Sequence, residues 1–201
     1  MTDTRQRILD AATELFGTVG FDAATTRDIA ERSGANKALI HYHFGGKDEL
    51  LGALLDSYYA RLGETLRDAL SSAGSPREQG VALVDAYADF LAENLTFCRL
   101  VQREITGGTH VDDLVRRTLP MFRLGAPWLR HAMPGARRDL DATQLLVTVY
   151  GMVVTYFTHA NLLRALTGKD PLAPHALAAR KRHVRRVIDL LFTAIDREPH
   201  A

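Results

Sequence analysis

The chain has 201 residues, an apolar share of 46% and a formal net charge of +1. That is enough apolar residue for a buried core, and too little charge for holding nucleic acid by bulk attraction. Its single cysteine, Cys98, excludes an intrachain disulfide and a cysteine-built zinc site. No run approaches the ~18 apolar residues of a membrane span, and Met1 is followed by TDTRQR with no apolar leader segment. A cytoplasmic protein is expected.

Residues 5–19 have the spacing of an amphipathic helix, with Ile8, Ala12, Leu15, Phe16 and Val19 on one face, followed by a Gly20-Phe21-Asp22 turn. The stretch TTRDIAERSGANKALIHYHFGGK then reads as two short helices and the start of a third. Thr26 is read as the N-cap of the first, residues 27–32 as its body, and Ser33-Gly34 as its end, because glycine accepts the left-handed backbone there. Asn36 caps a second helix over residues 37–43, which Gly45-Gly46 closes. Ala30 supplies the small side chain that a steep helix crossing needs, with Ala35 and Ile40 as apolar wedges behind it. Phe44 is expected to pack back on Phe16 and Ile8.

Lys37, Leu39, His41, Tyr42 and His43 remain on the outward face of the second helix, a polar and aromatic composition suited to a DNA groove. Charge supports this only locally. Residues 1–60 hold six basic and nine acidic residues, whereas residues 25–47 hold four basic and two acidic. Binding must therefore rest on a small patch, doubled in a dimer. Lys37, Leu39 and His41 are the candidates for base edges, Leu39 through a thymine methyl. Thr26 can offer its hydroxyl and backbone N–H to a phosphate. Arg27 could reach a guanine edge or pair with Asp22 or Glu31.

The arrangement from ILDAATELF through GGKDELL resembles the N-terminal DNA-binding domain of TetR-type (TetR/AcrR) transcriptional regulators. The resemblance implies an all-α fold: a three-helix helix-turn-helix domain over residues 1–47, and a larger helical effector-binding and dimerisation domain over residues 48–201. It also implies that Tyr42 and His43 contact the sugar-phosphate backbone or support the helix, and that Lys47 contacts a phosphate. Many family members carry tyrosine where this chain has His41, so adjacent Tyr42 is the candidate substitute.

A long helix runs from Lys47 through Leu50, Leu54, Tyr58, Leu62 and Leu66 to Leu70, linking the two domains mechanically. Ser75-Pro76-Arg77-Glu78 is a capping box that launches a helix ending near Asn94. A short helix covers residues 96–105. The segment from about His110 is expected to be bent or broken by Pro120, Pro127 and Pro134-Gly135. Asp141 with Gln144 caps one helix over about residues 142–166, and a last helix covers about 175–196. Two long antiparallel helices suit a homodimer built as a four-helix bundle, and TetR-type regulators are similar in this respect.

Polar groups interrupt the apolar faces of the second domain. Tyr87, Phe90, Arg99, Arg103, Trp128, His131, Tyr150, Tyr156 and His159 are the candidates for lining an effector pocket. The basic run Arg180-Lys181-Arg182-His183-Val184-Arg185-Arg186 reads as a solvated helix face. No nucleophile motif, phosphate loop, metal spacing or paired catalytic carboxylates stands out, so neither an enzyme nor a cofactor is expected. The reading is a homodimeric regulator, a repressor in most families of this kind, that binds a pseudo-palindromic DNA operator and is released by a small effector. The alternatives are a regulator without a small effector, and an all-α ligand-binding protein or enzyme.

Overall fold

The computed structural model describes residues 3–107, 110–132 and 141–197, with side chains described up to Ala194 and Gly107 excepted. Ten α-helices and no strand occur among the described residues: α1 (Thr4–Thr18), α2 (Thr26–Ser33), α3 (Lys37–Phe44), α4 (Lys47–Leu70), α5 (Pro76–Glu93), α6 (Leu95–Gly107), α7 (Val111–Ala132), α8 (Ala142–Thr158), α9 (Ala160–Thr167) and α10 (Pro174–Arg197). The chain divides into two compact units. One is Met1–Arg61 with Asn94–Thr118, the other Leu62–Glu93 with Leu119–Ala201. Helices α4 and α7 each run through both.

In the first unit α1 packs against α2 and α6, and α2 against α3. Ile8, Phe16, Ile29, Ile40, Leu50, Leu51, Leu55 and Leu100 are its fully buried large side chains. Tyr58 of α4 stacks on Phe97 of α6 with ring centroids 3.7 Å apart. Phe44 is only half-buried, and the Arg5 guanidinium lies 5.1 Å from its ring. The core position of α3 is Ile40, four residues earlier.

In the second unit α5 packs on α10 and α8, burying Val84, Phe90, Val153, Val154, Phe157, Val184, Ile188 and Phe192. Gly80 is a contact point: a Cβ there would meet Phe192 at 3.3 Å and Trp128 at 3.4 Å.

Two expectations for this unit are corrected. Helix α7 is not broken at Pro120 or Pro127 but runs on through both. Each proline frees the carbonyl four residues earlier, of Arg116 and Arg123. All four residues are exposed or half-exposed, so those carbonyls can reach solvent and the helix need not break. Pro134-Gly135 lies outside the described residues. The helix expected over 142–166 is instead α8 and α9, bent by 72° at His159. The Thr158 hydroxyl donates back to the Val154 carbonyl at 3.2 Å and lies 2.9 Å from His159 Nδ1, local bonding that competes with helix propagation. Among the described residues no single helix is long and apolar enough to cross a membrane.

Gly17 of α1 faces Thr96 of α6, and a Cβ on it would lie 2.7 Å from the Thr96 carbonyl oxygen. Backbone cannot yield as a side-chain tip can, so Gly17→Ala should destabilise by about 1–3 kcal/mol. Gly63→Ala, where the nearest atom to a new Cβ is the tip of Arg67 at 4.0 Å, should instead stabilise by about 0.5–1 kcal/mol. Urea unfolding of the two variants beside the parent checks both signs.

Candidate nucleic-acid interface

The turn before α2 sets the geometry. Thr25, not Thr26, is the N-cap: the Thr25 side chain accepts from the Asp28 N–H at 3.2 Å, and the Asp28 carboxylate accepts from the Thr25 N–H at 2.9 Å and its hydroxyl at 2.6 Å. The spacing of a capping box, T-x-x-D here, selects the first threonine. Thr26 becomes the first helical residue, half-exposed at the N-terminal end of α2. Gly34 ends α2 with φ 65°, and the Ala35 N–H donates to the Ala30 carbonyl at 3.1 Å. Asn36 then caps α3 by accepting from the Leu39 N–H at 3.0 Å.

These caps aim α3 outward along one side. Lys37, His41 and Tyr42 are exposed, Leu39 and His43 half-exposed, and Ile40 buried. Tyr42 is 82% exposed, far more than packing requires of an aromatic, and its ring meets the edge of His43 at 5.1 Å. His41 Nδ1 lies 2.8 Å from the Gly45 carbonyl, which ties that imidazole to the end of its own helix. Gly45, with φ 94°, closes α3.

The cations around this face divide into free and engaged. Lys37 makes no ion pair among the described residues, and Arg27 pairs with neither Asp22 nor Glu31, acting electrostatically on Asp28. Arg32 is tied to Glu14 of α1, and Arg7 donates to the Ser33 carbonyl at 3.0 Å. Lys47 donates to the Phe21 carbonyl at 3.0 Å and the Ala24 carbonyl at 3.1 Å, with its ammonium 4.2 Å from the Phe21 ring. An ammonium has three N–H donors, so one is left for a phosphate. Behind this loop His110 bridges Glu104 at 2.9 Å and Asp48 at 3.4 Å, its ring meeting Phe21 at 4.5 Å. No spacing in the sequence announces that cluster.

The effector candidates are spread. Arg99 and Arg103 are exposed on α6 in the first unit. In the second unit His131 and His159 are exposed, Tyr87 and Tyr150 half-buried and Phe90 buried. Trp128 donates to the Gln79 side chain at 3.0 Å, and the Tyr156 hydroxyl donates to the Pro171 carbonyl at 2.8 Å. A cleft in the same unit has other walls: Val84, Asp85 and Ala88 of α5, Val153 and Phe157 of α8, and Arg180, Lys181 and Val184 of α10. Cys98 is buried, which pushes its thiol up to about 11 against the opposing pull of Arg99. It is therefore protonated and unreactive at neutral pH.

The chain is also similar in sequence to known helix-turn-helix regulators. Residues 8–54 match the family model for bacterial regulatory proteins of the tetR family, and residues 76–188 match that for the tetracyclin repressor-like C-terminal domain. The chain belongs to the TetR family. An HTH-type transcriptional repressor of Mycobacterium tuberculosis is 34% identical over 166 residues, 82% of this chain and 78% of the relative. The fold is shared with a fatty acid degradation regulator of Bacillus halodurans (TM-score 0.76, 18% identity, 94% and 95% of the two chains). It is shared also with a ketosteroid transcriptional regulator of M. tuberculosis (TM-score 0.73, 19% identity, 94% and 95%). The chain is thus a TetR-family transcriptional regulator.

The cap of α2 has a defined acid response. Hydrogen bonds from the Thr25 side chain and backbone hold the Asp28 carboxyl below its ordinary value of 3.8. A lowered folded-state pKa means that the stabilisation is complete above that ordinary value and fades as pH falls through the lowered one. The Thr25 and Asp28 amide resonances should therefore report loss of the cap only in strong acid, and Asp28→Asn should flatten that titration.

Proposed function

We propose that this TetR-family regulator is a cytoplasmic homodimeric repressor that grips a pseudo-palindromic operator and lets go when a small effector binds. Residues 1–47 serve as the DNA-binding head and residues 48–201 as the effector-binding and dimerisation part. The observation that carries the reading is the outward face of α3, where Lys37, Leu39, His41 and the 82% exposed Tyr42 stand on a helix capped at both ends. Lys37, Leu39 and His41 read base edges; Tyr42, His43, Thr26 and the remaining N–H of Lys47 hold phosphates; Arg27 is free to reach a guanine. The two α3 helices of a dimer, paired through the α8–α10 region, need a separation near one DNA turn, roughly 34–36 Å. The repressor name of the M. tuberculosis relative supports the sign of regulation.

Helix α4 supports the coupling. It begins at Lys47 beside the head and continues unbroken to Leu70, with residues on either side of Arg61 belonging to different units. An effector acts through its difference in affinity for the two states, and a coupling of about 1–3 kcal/mol shifts operator affinity by roughly 5–150-fold.

Selection of bound duplexes from a random pool, followed by footprinting at two salt concentrations, tests the core of this. A palindromic site should emerge. Lys37→Ala should weaken binding, and any phosphate that the lysine neutralises should show as a drop of about 1 in the slope of log affinity against log salt. Tyr42→Ala should weaken binding with little change in thermal stability, since its ring is exposed. Failure to enrich any sequence would sink the DNA-binding assignment.

A further inference from the structure

His41 stands in the middle of the outward face of α3. From Lys37 to Gly45 the exposed positions are Lys37, Ala38, His41, Tyr42 and Gly45, the spacing of a single helical face. Ala38, one turn before His41, adds little bulk beside the imidazole.

The His41 ring is held at one edge. Its Nδ1 lies 2.8 Å from the Gly45 carbonyl, and the Gly45 N–H donates to the His41 carbonyl at 2.9 Å. The two residues thus hold each other through side chain and backbone. A carbonyl oxygen only accepts, so the proton of the neutral imidazole sits on Nδ1. Fixing one ring nitrogen as the donor makes the other an acceptor. Nε2 therefore carries a lone pair, which the five-membered ring directs roughly away from the Gly45 carbonyl. Among the described residues no group donates to it. The titratable and charged groups around this end of α3 are Lys37, Tyr42 and His43 of the same helix, Arg5 of α1 over the Phe44 ring, and Glu49 of α4, whose carboxyl carbon would lie 3.5 Å from a Cβ on Gly45. Lys47 and Asp48 of α4 turn instead to the α1–α2 loop and to His110.

That polarity excludes most partners on a duplex. Phosphate oxygens, guanine N7 and O6, and thymine O4 all accept, and none can bond to a lone pair. The donors in the major groove are the exocyclic amino groups, N6 of adenine and N4 of cytosine. Lys37 is the complement, since an ammonium has three donors and no acceptor and takes the accepting edges. We propose that His41, held by Gly45 with its proton on Nδ1, is a specificity residue whose Nε2 accepts the amino group of an adenine or a cytosine. This assignment rests on the DNA-binding reading of α3 and names the base chemistry that one of its side chains takes.

The test uses the full-length protein, first without DNA. With its histidine ring nitrogens labelled with 15N, the free protein at pH 8 should show the His41 proton on Nδ1, whereas free histidine in water favours Nε2. Affinity is then measured at that pH on the enriched operator. In one half-site each adenine is replaced in turn by purine and each cytosine by 2-pyrimidinone, analogues that lack the amino group. At one position the replacement should weaken binding by the parent about threefold to tenfold, the worth of one neutral hydrogen bond. His41→Phe keeps a ring without a nitrogen and should bind the substituted and unsubstituted duplexes equally at that position. Because His41 is exposed, the variant should fold as the parent does, which thermal unfolding checks. Lowering the pH of the complex until both ring nitrogens of His41 carry protons should abolish the sensitivity to the amino group, since an imidazolium has no lone pair.

A proton on Nε2 in the free protein would overturn the proposal. So would an operator on which no amino deletion acts through His41. A third overturning result is His41-dependent binding that strengthens in acid and ignores every amino deletion, which assigns the imidazolium to a phosphate. The underlying reading fails separately. Failure to enrich any duplex removes DNA binding and the base contact together, whereas an enriched duplex that His41→Phe binds as the parent does removes the base contact alone.

Discussion

Lys47 opens the long helix that both units share, and its ammonium closes the loop in front of the helix-turn-helix. The two carbonyls it reaches, of Phe21 and Ala24, sit in the turn between α1 and α2. A compact ammonium on a flexible stem can satisfy both from one point, which a planar guanidinium could not do as closely. The Phe21 ring below adds a cation–π contact at 4.2 Å. Because Thr25 follows Ala24 directly, fixing that carbonyl fixes the cap of α2, and through the Gly34 turn the direction of α3. The first residue of α4 and the aim of α3 are thereby one mechanical unit. His110 closes the other side of the same loop against Phe21, held between Glu104 and the exposed Asp48.

That arrangement has a consequence for DNA binding. A cation paired with a carboxylate, as Arg32 is with Glu14, contributes little net attraction for a duplex, whereas Lys47 and Arg7, bonded to neutral carbonyls, keep their charge but are held in place. Arg7 and Arg32 brace α1 against α2, and Lys47 braces the loop, while among the described residues Arg27 and Lys37 make no ion pair and Arg5 lies over the Phe44 ring of α3. Each braced cation adds precision to where α3 points, and the Arg32–Glu14 pair also removes net charge from bulk attraction. Under the proposed function, a head built this way would draw its operator preference from geometry and from the doubling of a dimer, more than from non-specific phosphate contact.

How much of this is visible in the sequence follows from the range of the interactions. Local signals are legible: the Ser75–Glu78 box, Asn36, Asp141, and both ends of α4 lie where the residues indicate. The cap of α2 falls one residue before the expected Thr26 because two adjacent threonines offer the same hydroxyl, and only the partner three residues on, Asp28, distinguishes them. The prolines of α7 mislead because their cost depends on which side of the helix their freed carbonyls face, a tertiary fact. The break at His159 is hidden by a continuous apolar pattern that suits one helix or two. Arg180 is the least legible. In the sequence it belongs to an undivided basic run, and only the positions of Asp85 and Asp89 on α5 decide which members of that run are paired.

The second unit holds its helices in two physically different ways. Among the described residues three ion pairs join α5 to α10: Arg77 with Asp189, Asp85 with Arg185, and Asp89 with Lys181. Each is at least partly exposed and worth only about 0–1 kcal/mol, yet together they fix the register of one helix on the other. Helix α8, ATQLLVTVYGMVVTYFT, carries no charged residue at all, so no such pair can hold it. Its attachment is apolar burial through Val153, Val154 and Phe157, which is strong but non-directional, plus the carbonyl that Met152 offers to Arg180. The Tyr156 hydroxyl adds a second directional bond, donating to the Pro171 carbonyl at 2.8 Å, so α8 is held chiefly by burial with two polar fixings, while α5 and α10 are held in register by charge.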